Sequence, residues 1–261
     1  MAQMRFQHYV GFVSPPACFD QTLQQFLGVC ADPVGVVQTL PNYPGAEYGA
    51  GLGDASRRLA VLKDGIAALR DADVEVVLQF GGYWALPYAP DLDSARALEQ
   101  SLSEEFGIPV ILNWTAIVDA LNAVGAKRIS VTTGYYRPAW TRASIAFLDS
   151  AGFEILWTGD LIDQDILSDQ SEKEAIEDAT RWDYPDEIVM QTCVEAARLA
   201  PDCDAICQTG AGMRTSYVVK DVEAQTGKPL VATDIAIFWA AMQATGITAR
   251  ADTGVLLSST C

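Results

Sequence analysis

The sequence predicts an α/β protein: parallel sheets covered by helices, built as two copies of one βα-rich half. Three observations point there. Short apolar runs rich in β-branched residues alternate with amphipathic stretches along the whole length. Two blocks 120 residues apart match at five positions in register, and the loops that follow the strands in the two copies resemble each other.

The elements follow in order. HYVGFV at 8 to 13 reads as the first strand and 33 to 39 as the second, before a helix over 54 to 71. A strand at 74 to 80 leads to a helix over 93 to 105, with Asp93 where an N-cap belongs. After a strand at 108 to 112, the helix over 114 to 124 stops at Gly125. A strand at 128 to 133 opens the second copy, and the helix over 138 to 151 stops at Gly152. A strand at 153 to 157 precedes the acidic, least periodic stretch, 159 to 184, expected to be a surface excursion or lid. A helix over 185 to 200, with Pro185 as its first residue, a strand at 204 to 209 and a helix over 214 to 225 come next. A strand at 229 to 232 and a helix over 235 to 245 close the pattern.

The repeat is explicit in GIPVILNWTAIVDAL (107 to 121) and GKPLVATDIAIFWAA (227 to 241), which match Gly107 with Gly227, Pro109 with Pro229 and Ala116 with Ala236. Upstream, VVLQFGG (76 to 82) and AICQTGA (205 to 211) align Gln79 with Gln208 and Gly81 with Gly210. The first strands, 10 to 16 and 130 to 136, are expected to share the 120-residue offset. We expect residues 1 to 122 and 233 to 261 to form the first half and 123 to 232 the second. Because ligands of open α/β sheets bind beyond the carboxyl ends of strands, facing halves would share one cleft.

Composition removes several functions. With 50% hydrophobic and 20% charged residues among 261, the chain is globular rather than disordered. Seventeen Lys and Arg against 34 Asp and Glu give a formal charge of −17, which repels nucleic acid and anionic membrane surfaces. With one histidine, His8 at the start of an apolar strand, histidine-based nucleophilic or zinc chemistry has almost no material. Six cysteines lack disulfide-scaffold density, and the CxxxC of Cys203 and Cys207 has no second pair. The N-terminus shows no signal-peptide core, so a cytoplasmic location is expected. No metal or cofactor is expected.

The strand-end loops are rich in Gly, Thr and Tyr and poor in charge: Ser14-Pro15-Pro16-Ala17-Cys18, Gly81-Gly82-Tyr83, Asn113-Trp114-Thr115, Thr132-Thr133-Gly134-Tyr135, Gly210-Ala211-Gly212 and Thr233-Asp234. Glycines after strands let backbone N–H groups converge on an anion. A small carboxylate is the expected ligand, with a homo-oligomer possible.

These residues resemble the aspartate/glutamate racemase superfamily, in its maleate isomerase and arylmalonate decarboxylase branch. VGFVSPPA, GAGLGD (49 to 54), VVLQFGGYW (76 to 84), the block 107 to 136, APDCDAICQTGAGM (200 to 213) and GKPLVATDIAIFW (227 to 239) carry the resemblance, in that order. It implies two flavodoxin-like (Rossmann-like) halves related by a pseudo-twofold axis, a site between them and no cofactor. It also places Gly81 and Gly210 where such enzymes keep catalytic cysteines, so a two-thiol proton shuttle is missing here. Tyr135 matches a tyrosine that donates to the substrate carboxylate. Tyr83, Cys18 and Asp234 are candidates for the proton-moving group, with helix capping the alternative for Asp234 and a buried thiol that for Cys18. Pro15, Gly81, Gly82, Gln79, Asn113, Thr133, Gln208, Gly210, Ala211 and Arg214 are candidates for substrate binding. Three functions stay open: a cofactor-independent lyase, decarboxylase or isomerase acting next to a carboxylate; a hydrolase or hydratase with a bound water positioned by Gln79, Gln208 or Asp234; and a non-catalytic small-acid binding protein.

Overall fold

A computed structural model describes residues 5–14, 21–40, 55–81, 85–134, 138–180 and 183–259. The first half holds β1 (His8–Val13), α1 (Thr22–Val29), β2 (Val34–Thr39), α2 (Ala55–Asp71), β3 (Val76–Gln79), α3 (Leu92–Phe106), β4 (Val110–Leu112) and α4 (Asn113–Ala123). The second holds β5 (Arg128–Thr133), α5 (Pro138–Ser150), β6 (Glu154–Gly159), α6 (Gln170–Thr180), α7 (Asp186–Leu199), β7 (Ala205–Thr209), a 3-10 turn (Thr215–Tyr217), α8 (Val219–Thr226) and β8 (Leu230–Ala232), followed by α9 (Thr233–Thr245) and α10 (Val255–Ser258).

The strands form two parallel four-stranded sheets, ordered β2-β1-β3-β4 and β6-β5-β7-β8. The identical order makes the pseudo-twofold relation concrete. Helices α4 and α9 pack on each other at the axis, and the repeated alanines Ala116, Ala120, Ala236 and Ala240 are all buried.

Register corrects one expectation. Val13 lies beside Gln79, whereas Thr132 lies beside Gln208. Since the two glutamines are repeat partners, Val13 corresponds to Thr132, and the first strands are offset by one residue fewer than the 120 expected. Side-chain direction agrees, because a one-residue slip in a strand exchanges its faces. Gly11 faces Leu69 of α2, and its counterpart Ser130 faces α7, donating to the Ala196 carbonyl at 2.6 Å.

Three helices were not expected: α1, α6 and α10. The first two bury polar residues, Thr22 and Gln25 in α1 and Lys173 and Glu177 in α6, so the face turned inward is not uniformly apolar. The helix expected over 214 to 225 is split into the 3-10 turn and α8. The N-cap of α3 is Asp91, not Asp93, because Asp91 and Ser94 form a reciprocal capping box. Pro185 is the N-cap of α7 rather than its first residue. Gly125 and Gly152, at φ +75 and +86, follow α4 and α5 as expected.

The core of the first half is aromatic where α1 and α9 cover β1. Phe12 meets Phe26 edge-on at 5.3 Å and Phe238 at 6.2 Å. A second apolar layer under α2 and α3 contains Leu62, Ile66, Val77, Leu102 and Leu112. The strand ends that could form a site are thereby held between rigid layers.

Candidate functional site

The carboxyl ends of β3 and β7 meet at the axis. Gly81 N–H donates to Asn113 Oδ1 at 3.1 Å, and Gly210 N–H donates to Thr233 Oγ1 at 3.0 Å. Asn113 and Thr233 are the first residues of α4 and α9. Asn113 Nδ2 donates to the Thr233 carbonyl at 2.8 Å. A hydrogen-bonded path thus runs Gly81, Asn113, Thr233, Gly210 from one half to the other.

This path corrects part of the expected cradle: the amides of Gly81 and Gly210 are engaged by side chains and do not face a ligand. The next two amides differ. Those of Ala211 and Gly212 have no hydrogen-bond partner among the described residues, and both residues are half-buried. They follow Gly210 at φ +119, and consecutive N–H groups after such a turn form an anion-binding concavity. Thr209 Oγ1, at the same strand end, is buried without a hydrogen-bond partner among the described residues.

The glutamines repeat each other's geometry. Gln79 Nε2 donates to the carbonyls of Phe80 and Gly81, both at 2.8 Å, and Gln208 Nε2 to those of Thr209 and Gly210, at 2.7 and 3.4 Å. Each carboxamide thus braces the turn that follows its own strand. Thr133, buried at the end of β5, lies beside Thr209, and Gly134 N–H donates to the Thr209 carbonyl at 2.8 Å.

Arg214 and Asp234 belong to a buried network. Asp234 Oδ2 accepts from Gln25 Nε2 at 2.9 Å and from Ser216 N–H at 3.0 Å, while its Oδ1 accepts from the Thr215 hydroxyl and from Ile235 N–H. With four donors around it, this carboxylate acts as a clamp on the 3-10 turn and on the start of α9, the capping alternative extended. Arg214 Nη1 donates to Gln25 Oε1 at 3.0 Å, its Nε lies 3.5 Å from Asp183, and its guanidinium sits over the Phe80 ring. These contacts use Arg214 within the protein rather than leaving it open toward a ligand.

The acidic stretch is less of a surface excursion than expected. Lys173 is fully buried and pairs with Asp160 at 2.9 Å. Burial opposes the Asp160 charge, yet Lys173 and the amides of Ile162 and Asp163 hold its carboxyl below the usual range. Burial pushes Glu177 up to about 7 against the Tyr184 hydroxyl that donates to it. Tyr184 N–H then donates to the Gly212 carbonyl at 3.2 Å, so this cluster leans on the Gly210–Gly212 turn.

No described cysteine is poised as a nucleophile. Cys30, Cys193, Cys203 and Cys207 are buried free thiols, and burial raises all four, Cys30 and Cys207 to about 12. His8 lies at the opposite, amino end of β1, bound to Glu75. No group of three or more metal-ligating side chains that could hold an ion occurs among the described residues. No helix among them is long and apolar enough to cross a membrane. Pro15, Cys18, Gly82, Tyr83 and Tyr135 lie outside the described residues. The site residues missed in the sequence, Gln25, Asp183, Thr215 and Ser216, belong to α1 and to segments outside any strand-end loop, and no signal in the sequence singles them out.

This arrangement can be set beside known proteins. A family model, arylmalonate decarboxylase, matches residues 63–257. The chain belongs to the arylmalonate decarboxylase family. Among family relatives, the arylmalonate decarboxylase of Bordetella bronchiseptica is 29% identical over 158 residues, 60% of either chain. The maleate isomerase of Pseudomonas putida is 28% identical over 156 residues, 58% of this chain and 55% of the isomerase. The chain therefore matches somewhat more than half the length of each relative. In fold, a crystal structure of arylmalonate decarboxylase overlays with a TM-score of 0.73 at 21% identity, covering 95% of this chain and 98% of the other. A Nocardia farcinica maleate cis-trans isomerase variant with a covalently bound succinylcysteine intermediate overlays with a TM-score of 0.76 at 17% identity, covering 97% and 98%. The family's two-sheet α/β fold is thus present over nearly the whole chain.

Proposed function

We propose that the chain is a cofactor-independent enzyme acting on a small carboxylic acid at the carbon next to the carboxylate, as a decarboxylase, other lyase or isomerase. The observation that carries this reading is the pair of unpartnered amides of Ala211 and Gly212 after the positive-φ turn at Gly210. Charge that develops on the carboxylate as the neighbouring carbon loses CO2 or a proton would meet donors already in place, which lowers the barrier without reorganisation. The names of the two relatives, a decarboxylase and an isomerase, support the same class.

The chemistry runs without the superfamily's thiols. A Cβ at Gly210 would lie 3.1 Å from Gly134 N and 3.2 Å from its Cα, in a backbone conformation that side chains rarely adopt. This turn is therefore shaped for glycine, and a cysteine is not simply omitted from it. Proton transfer falls in this reading to Tyr135, Tyr83 or Cys18, with Tyr135 as the carboxylate donor, while Asp234 positions rather than reacts.

Proton NMR in heavy water on malonate, phenylmalonate, maleate and related acids tests the proposal. Loss of CO2, exchange of the hydrogen next to the carboxylate, or double-bond isomerisation is expected. Addition of water would make the protein a hydratase, and ligand-induced stabilisation without turnover a binding protein; either result overturns the reading. Full activity in Tyr135→Phe would remove that residue from the site.

A further inference from the structure

Helix α1 belongs to the first half, yet its buried polar face reads the second. Gln25 is 1% exposed. Its Nε2 donates to Asp234 Oδ2 at 2.9 Å and to Ser216 Oγ at 2.8 Å, and its Oε1 accepts from Arg214 Nη1 at 3.0 Å. One turn earlier on the same face, Gln21 donates to Asp183, the carboxylate beside Arg214 Nε. One carboxamide thus joins a buried carboxylate to a buried guanidinium, and both flank the turn that begins at Gly210. Asp234 fixes that segment from below by accepting from Ser216 N–H and Thr215 Oγ1. Arg214 fixes it from the side, held over Phe80, the residue before Gly81.

We propose that Gln25 is a positioning residue: through Asp234 and Arg214 it holds residues 210–214 in the geometry in which the amides of Ala211 and Gly212 meet a carboxylate. This rests on the function proposed above for those amides. Chemically, the role needs a side chain that both donates and accepts in one rigid plane, which a carboxamide does and a carboxylate or an alkyl chain does not. Withdrawing it leaves Asp234 short of a donor and Arg214 short of an acceptor, both in a buried place where lost partners are costly.

Gln25→Met removes the carboxamide at nearly constant volume, and Gln25→Asn retracts it by one methylene in case the first variant folds poorly. Hydrogen exchange read by mass spectrometry is expected to accelerate on the order of tenfold across 210–218, while 76–81 and 113–120 stay as in the parent. Malonate and phenylmalonate affinities are expected to fall by about tenfold. Phe26→Leu, on the same helix but outside the network, serves as the control: it lowers the melting temperature without selective exchange at 210–218. Unchanged exchange at 210–218 in both Gln25 variants, or acceleration no greater there than elsewhere, overturns the proposal. If the parent protein binds neither acid, the function proposed above fails, and the exchange comparison still decides whether Gln25 positions the turn.

Discussion

Trp114 and Asp234 occupy the same position of the repeat, in the first turns of α4 and α9, and the two halves use it in opposite ways. Trp114 is buried against the Phe147 ring of α5, with centroids 5.1 Å apart. Asp234 is equally buried but is surrounded by donors from Gln25, Thr215, Ser216 and its own helix. Each helix start is thus tied across the two halves, once by ring packing and once by a directional polar network. Packing tolerates small shifts and hydrogen bonds do not, so the half held by polar contacts is the one whose turn geometry is specified most tightly. A milder difference between the repeats lies at the helix preceding β4 and β8. Val110 N–H is taken by Ser103 Oγ and Leu230 N–H by Glu223 Oε1, each at 2.9 Å: one structural task, two residue types.

The contrast can be broken at several points. The largest effect is expected at Trp114→Ala, which should cost about 3–5 kcal/mol in denaturant unfolding through the cavity it leaves. Asp234→Asn should cost less, about 1–3 kcal/mol, because two of its donors keep an oxygen while the other two face a new N–H2. If the order of these two were reversed, the polar side rather than the packed side would carry the stability of the axis. Gly210→Cys should destabilise by about 1–3 kcal/mol through its backbone conformation and the approach of Gly134; a melting temperature equal to the parent's would show that the turn accepts a thiol after all. The smallest effect is expected at Ser103→Ala, about 1 kcal/mol for the neutral hydrogen bonds its hydroxyl makes with Val110 N–H and the Glu99 carbonyl, read in the same unfolding experiment. Glu223→Ala should cost more, since it strands the amides of both Leu230 and Val255.

Much of this organisation was legible in the sequence, and the limits have a physical cause. The apolar strands and the helices that cover them were readable because burial imposes a period on hydrophobic residues. The repeat exposed the axis and, through Gln79 with Gln208 and Gly81 with Gly210, the paired turns. Helices α1 and α6 were not readable, because Gln25, Lys173 and Glu177 interrupt the apolar face that would have announced them. The same residues carry the cross-half network and the buried ion cluster, so the silent segments are the ones with directional work. The involvement of the Gly81 and Gly210 amides with Asn113 and Thr233 was also hidden, since spacing alone says which residues are near a turn and not which hydrogen bonds they have already made.

Residues 248–250 close the first half. Ala31 N–H donates to the Thr248 carbonyl, Arg250 N–H to that of Val29, and Thr248 N–H and Oγ1 both donate to Asp32. Cys30 and Ala249 form a short antiparallel bridge. These contacts join segments separated by more than two hundred positions, and α9, which covers Phe12 and Phe26 through Phe238, arrives just before them. During synthesis the amino-terminal sheet therefore waits, its aromatic face only partly covered, until residues 233–250 have left the ribosome. Such long-range closure slows folding and lengthens the exposure of apolar surface, which gives the chain's strong negative charge a second use: mutual repulsion between nascent copies while that face is open.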